Sequence, residues 1–140
     1  MKTIKRLYII VLILFFTALK AEINNFEKGK NLFSEKKYDL AKFKFEQDIV
    51  FNPKNENSYL YLAKIYNFKK NDEQEEAYLK TVILLNPKNE EAVLNLAQLK
   101  IRKSNYAETE KLIKNFKKVC KNLCDQTSKL QIKLDDIFKN

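Results

Sequence analysis

The residues available for chemistry are few, and the absences are as informative as the presences. The chain has no histidine and only one glycine. Without histidine there is neither a Ser-His-Asp triad nor a His-based metal site, and Gly29 alone cannot make the glycine-rich loop that cradles a nucleotide phosphate. Carboxylates are plentiful, but Glu73, Glu75 and Glu76, and again Asp135 and Asp136, fall at ordinary helix-surface positions, and nothing places two of them in a shared pocket. The expectation is a protein that is not an enzyme, with no catalytic residues, no metal and no cofactor. Cys120 and Cys124 are the only cysteines. They are either a disulfide or two free, buried thiols, and a redox-active or metal role lacks a second pair of ligands. The basic stretch Lys100, Arg102, Lys103, Lys111, Lys114, Lys117, Lys118 and Lys121 is offset locally by Glu108 and Glu110. It fits an acidic partner, an anionic membrane or nucleic acid in principle, but in a Lys-rich chain it reads better as a solvated helix face, and no nucleic-acid partner is expected.

The charge has to be apportioned along the chain. Of the formal +9, four bases (Lys2, Lys5, Arg6 and Lys20) lie in the first 21 residues, which have no acids. That stretch has a basic start and then an apolar run, Leu7 to Leu19, shorter than the roughly 20 residues a membrane-spanning helix needs. This is the layout of an export signal. Cleavage after Ala21 would free the rest, whereas Leu19, large for its place before the cleavage point, leaves an uncleaved N-terminal anchor as the alternative. Either way the basic end stays in the cytoplasm and the remainder is translocated. The expected location is the bacterial periplasm or cell envelope, with membrane contact only through an uncleaved N-terminal segment. In such a compartment a disulfide persists.

The elements that would position any site are set by a repeat. Asn52-Pro53-Lys54-Asn55-Glu56 returns as Asn86-Pro87-Lys88-Asn89-Glu90, 34 residues later. The period divides the chain into residues 22–55, 56–89 and 90–123, with a remnant at 124–140. Each unit has two apolar-periodic helical stretches with a polar break between them, at Ser34 to Lys37, Lys69 to Asp72 and Lys103 to Asn105. The Asn-Pro pairs end each unit, since the residue before Pro is pushed out of the α region and Pro cannot donate the next helical hydrogen bond. Asn55 and Asn89 are placed to cap the helices that follow. The fold class is all-α.

These features resemble the tetratricopeptide repeat. Gly29, Ala63 and Ala97 match the small residue of the first helix, Leu62 and Leu96 the Leu before it, and Tyr66 the aromatic one turn later. Ala41 and Phe45 match the second helix, Tyr38 and Tyr106 its opening aromatic, and Pro53 and Pro87 its terminal proline. The resemblance implies antiparallel helix pairs stacked as a right-handed superhelix, with 124–140 as a capping helix. The pattern is departed from at Lys28, Asp48, Glu75, Thr109 and Lys121, so the second helices of repeats two and three are where a shift or irregular packing is expected. Lys121 stands where the third proline is due, and Cys120 and Cys124 flank that turn.

By the same resemblance the first helix of each repeat lines a concave face that binds a partner protein or peptide. Periodicity puts Phe26, Lys30, Phe33, Leu60, Lys64, Asn67, Phe68, Leu94, Gln98, Ile101 and Arg102 there. Members that grip acidic carboxy-terminal tails use a clamp of Lys, Asn and Arg; Phe26, Tyr61, Glu91 and Asn95 occupy four of its places, leaving only Lys30 with suitable charge, so the clamp is not expected. The functional expectation is a non-catalytic interaction module or adaptor. The alternative is a membrane-tethered structural or assembly subunit.

Overall fold

The computed structural model describes residues 25–139, so the expected export segment and its cleavage point lie outside the described residues. The described chain is seven helices: α1 (Asn25–Ser34), α2 (Tyr38–Phe51), α3 (Glu56–Phe68), α4 (Asp72–Leu85), α5 (Glu90–Arg102), α6 (Tyr106–Val119) and α7 (Cys124–Lys139). Helix starts recur every 34 residues in two series, at Tyr38, Asp72 and Tyr106 and at Glu56, Glu90 and Cys124.

Burial keeps the same phase. The buried positions of α2 are Ala41, Phe45 and Asp48, those of α4 are Glu75, Leu79 and Val82, and those of α6 are Thr109, Ile113 and Phe116. The second helices of repeats two and three are therefore in register, contrary to the expectation from Glu75 and Thr109. Both residues fit because their polar atoms find partners: Thr109 Oγ1 donates to the Asn105 carbonyl at 2.9 Å, and Glu75 is held from two sides, as described below. A buried polar group that keeps its hydrogen bonds costs little.

The chain divides into two compact units, residues 1–58 and 59–140. In the first, α1 packs on α2, and the contact depends on Gly29. A Cβ there would stand 2.7 Å from Cε1 of the fully buried Phe45 ring, so any side chain would push the helices apart. In the second unit one core joins Leu60 and Ala63 of α3, Leu79 and Val82 of α4, and Leu96 and Leu99 of α5. Another joins Val93, Leu94, Ala97 and Ile101 of α5 to Ile113 and Phe116 of α6 and to Leu130 and Leu134 of α7.

The turns within helix pairs share one design. At the end of α3, Lys70 N–H donates to the Asn67 carbonyl and Asn71 N–H to the Tyr66 carbonyl; the same two bonds recur after α1 (Lys36, Lys37) and α5 (Ser104, Asn105). This is the Schellman closure, which needs a left-handed residue, usually glycine. Here that residue is Lys36, Lys70 or Ser104, with φ of 60°, 58° and 55°. Asn71 and Asn105 then cap α4 and α6, accepting from Gln74 N–H at 3.1 Å and Glu108 N–H at 3.2 Å.

The junctions between pairs are each closed differently. At the first, buried Asp48 accepts from Asn52 Nδ2 (3.1 Å), Asn55 Nδ2 (2.6 Å) and Ser58 Oγ (2.5 Å). At the second, Asn86 Oδ1 accepts from Lys88 N–H and Asn89 Oδ1 from Ala92 N–H, both at 3.0 Å. At the third, which has no proline, a disulfide joins Cys120 to Cys124, Cα atoms 5.3 Å apart. The loop between them turns its amides onto the side chain of Glu90. Lys121 N–H donates to Oε1 at 2.6 Å, Leu123 N–H to Oε2 at 2.8 Å, and Asn122 N–H to both, at 3.2 and 3.0 Å. Some loss of water raises the Glu90 pKa, but these N–H groups outweigh it and leave the carboxyl below its ordinary value.

Two stability outcomes follow. Lys70→Gly relieves a left-handed β-carbon and is expected to raise stability by about 0.5–1 kcal/mol; an unchanged or lower urea midpoint would contradict the strain. Asp48→Ala leaves three donors of the first junction without their acceptor and is expected to cost about 2–4 kcal/mol. A loss under about 0.5 kcal/mol in the same urea titration would mean that Asp48 does not lock the turn.

Candidate functional site

Two hollows lie in the second unit, and α5 connects them. Glu91, Asn95, Gln98 and Arg102 follow one another at helical spacings of three and four, which aligns them in a single stripe. The first hollow, about 220 Å³, is lined by Ala63, Lys64 and Asn67 of α3, Glu75 and Leu79 of α4, and Glu91, Asn95 and Gln98 of α5. The second, about 230 Å³, is lined by Gln98 and Arg102 of α5 with Gln126, Lys129, Leu130 and Lys133 of α7. Gln98 belongs to both.

The charges in this face are mostly matched within it. Lys64 Nζ lies 2.7 Å from Glu91 Oε1 and 4.9 Å above the Tyr61 ring. Glu75 is 2% exposed, accepts from Asn67 Nδ2 at 3.0 Å and pairs with Arg102 at 2.6 Å. Burial pushes its carboxyl above the ordinary value more strongly than Asn67 and Arg102 draw it down. Arg102 also reaches Asp72 at 3.4 Å.

Beside this pair, Glu76 collects three lysines: Lys80 at 2.6 Å, Lys100 at 2.7 Å and Lys103 at 3.0 Å. Their hydrogen bonds, that of Lys100 first, bring its pKa down to about 2. Lys100 is buried and also pairs with Glu108 at 2.9 Å. Burial alone would lower the lysine pKa; the bonds to Glu108 and Glu76 overcome it and raise it.

These contacts revise three sequence readings. Glu75 is not on the helix surface but in the interior. Lys100, Arg102 and Lys103 are not a free basic face, because acids of α4 neutralise them, whereas Lys111, Lys114, Lys117, Lys118 and Lys121 are exposed. Of the residues assigned to the concave face, Lys64, Asn67, Gln98 and Arg102 come together at the hollows, while Leu60, Leu94 and Ile101 are core. Leu94 and Ile101 are buried in a core shared with Leu130 and Leu134 of α7, and Leu60 packs with Leu79 and Leu96. Phe68 is exposed but lines neither hollow.

In the first unit Phe26 packs on Phe45 with centroids 5.9 Å apart, Phe33 meets Tyr38 edge-on at 5.4 Å, and Lys30 lies over Phe26 and pairs with Glu27. Glu91 and Asn95, placed by resemblance only at positions of a charged clamp that is not expected here, line the first hollow; their spacing from Gln98 was the available signal. The residues of α7 carried none, since a cap is read for its apolar side.

The sequence matches no family model and no curated protein. Solved structures, however, share the arrangement of helices. The first tetratricopeptide domain of Spaghetti (RPAP3), bound to an HSP90 peptide, superposes with a TM-score of 0.75 at 19% identity over 85% of this chain and 94% of its own. The fold is that of a tetratricopeptide-repeat domain. The TPR2B domain of yeast Sti1, in a pHsp70 complex, gives 0.75 at 15% identity, covering 82% of this chain and 96% of its own. The Yersinia enterocolitica type III secretion chaperone SycD, in complex with a peptide of the translocator YopD, gives 0.74 at 14% identity, covering 84% and 92%.

The Glu76 cluster makes stability depend on pH. A carboxyl held at about 2 when folded against 4.5 otherwise stabilises the fold fully above pH 4.5 and loses that contribution as pH falls toward 2. Glu76→Gln is expected to cost about 2 kcal/mol at pH 7 and nearly nothing at the acid end. Equal urea-midpoint differences from wild type at neutral and acid pH would rule this out.

Proposed function

We propose that this chain is a non-catalytic protein-interaction module that receives an extended partner segment along α3, α5 and α7. The observation that carries this reading is the α5 stripe Glu91, Asn95, Gln98 and Arg102, which runs from one hollow to the other. Its neighbours Lys64 and Glu75 already hold charged partners. Besides the exposed ammonium groups of Lys129 and Lys133, what the face offers is the carboxamides of Asn95, Gln98 and Gln126, the last also donating to Asp125 at 3.4 Å. A carboxamide both donates and accepts, which suits the N–H and C=O groups of a peptide main chain. Of the proteins of similar fold described above, the Spaghetti domain and SycD were solved with peptides and the Sti1 domain in a pHsp70 complex, which supports the same use.

Export is part of the proposal and rests on the basic start and the apolar run Leu7 to Leu19. Among the described residues no helix is long and apolar enough to cross a membrane, so the alternative reading as a tethered assembly subunit depends on that N-terminal stretch. Sequencing the N-terminus of the mature protein separates the two: a start at Glu22 leaves no tether of this kind.

A photo-reactive residue at Gln98 is expected to cross-link a partner in the native cell envelope, and one at Leu84, which is 82% exposed and lines neither hollow, is not. Asn95→Ala with Gln98→Ala should then weaken the captured partner about tenfold or more, as expected for two lost hydrogen bonds. Equal cross-linking from both positions would remove the groove from consideration.

A further inference from the structure

The third junction contains a device that the binding reading does not use. Cys120 is the last residue before the turn, its N–H still bonded to the Phe116 carbonyl at 2.8 Å, and Cys124 is the first residue of α7. The bridge thus ties the end of α6 to the start of α7. It encloses Lys121, Asn122 and Leu123, the residues whose amides converge on Glu90. Successive N–H groups pointing into one concavity form an anion-binding nest, and such a nest exists only while the backbone keeps its curl. At the other two junctions proline restricts that backbone; here Lys121 stands in its place, and the covalent restriction comes from the bridge, with the Glu90 carboxylate gathering the amides it presents.

The rest of the attachment is modest. On α7 the buried apolar side chains are Leu130 and Leu134, with Leu123 of the turn and Ile137 partly covered, and at the far end Phe138 meets Tyr106 of α6 edge-on at 5.3 Å. Cys124 is exposed and Cys120 half-buried, so a small dithiol can reach the bridge.

We propose that the Cys120–Cys124 bridge is a redox latch on α7. When closed, it shapes the nest that holds Glu90 and fixes the start of α7 against the third repeat. Opening is a two-electron reduction by a dithiol. One thiolate of the dithiol attacks a bridge sulfur, forming a mixed disulfide as the Cys120–Cys124 bond breaks and the other cysteine leaves as a thiolate. The second sulfur of the dithiol then displaces the remaining cysteine, the reductant leaves as a disulfide, and the two protons it gives up leave Cys120 and Cys124 as thiols. The loop then loses its curl, the nest releases Glu90, and α7 loosens from Val93, Leu94 and Ile113. The wall of the second hollow formed by Gln126, Lys129 and Lys133 moves with it. The latch stands whether or not that hollow binds a peptide.

Hydrogen exchange on the full described fold tests it. In the oxidised protein the amides of residues 121–139 should exchange slowly. Treatment with a dithiol should speed them roughly 10- to 30-fold, the size set by opening a five-residue loop, while those of α1 and α2 stay unchanged. Re-oxidation should restore protection. Cys120→Ser with Cys124→Ser should match the reduced protein, and Glu90→Gln with the bridge intact should speed only the turn and the first part of α7. Unchanged protection of α7 on reduction overturns the latch. So does an equal acceleration across α1 and α2, which would be general destabilisation, and so do two free thiols in protein isolated under non-reducing conditions. A silent Glu90→Gln would overturn the role of the nest.

Discussion

Seven short helices joined by tight turns leave an unusual number of backbone N–H and C=O groups without helical partners, and closing those groups is the constraint on which the remaining structure depends. Each α-helix ends with several unsatisfied donors and acceptors. The chain answers mostly from within a few residues of each helix end. Schellman closures at Lys36, Lys70 and Ser104 absorb the carbonyls, and the asparagines at 71, 89 and 105 absorb the amides. Asp48 and Glu90 add carboxylates where more donors converge. Since the turns fix where each helix begins, the apolar positions fall in the same phase in every pair. The cores of both units follow from that phase.

Much of this was legible because the determining residues are local. The Asn-Pro pairs mark the junctions, the 34-residue interval sets the phase, and Gly29 stands where a ring approaches too closely for any side chain. What escaped detection was long-range or compensated. Glu75 resembles any surface glutamate until Asn67 and Arg102 are brought to it, and Lys100 is charged in the sequence but buried between Glu76 and Glu108. Ile101 has the spacing of a groove residue and is covered by α7, a contact no periodicity on α5 can announce. Local rules gave the elements, and pairings 24 and 27 residues apart decided which charges were interior.

The same compensation shapes the face. In the first hollow Lys64, Glu75 and Glu91 are already paired, so a charged ligand gains little there without breaking a pair, and at the second hollow Lys129 and Lys133 are exposed, where an ion pair contributes little. Hydrogen bonding to a main chain carries no such penalty. Used as proposed above, such a face would discriminate shape and backbone direction more than side-chain charge.

Helical arrays change length by gaining or losing whole units, because each touches mainly its neighbours. The turns of the first two junctions close through bonds between residues no more than ten apart. The third does not. Its turn is held by a side chain at the start of the third repeat, 31 to 33 residues upstream. One carboxylate thereby clasps the two ends of that repeat together, and the cap takes its starting direction from the residue that opens the unit it covers.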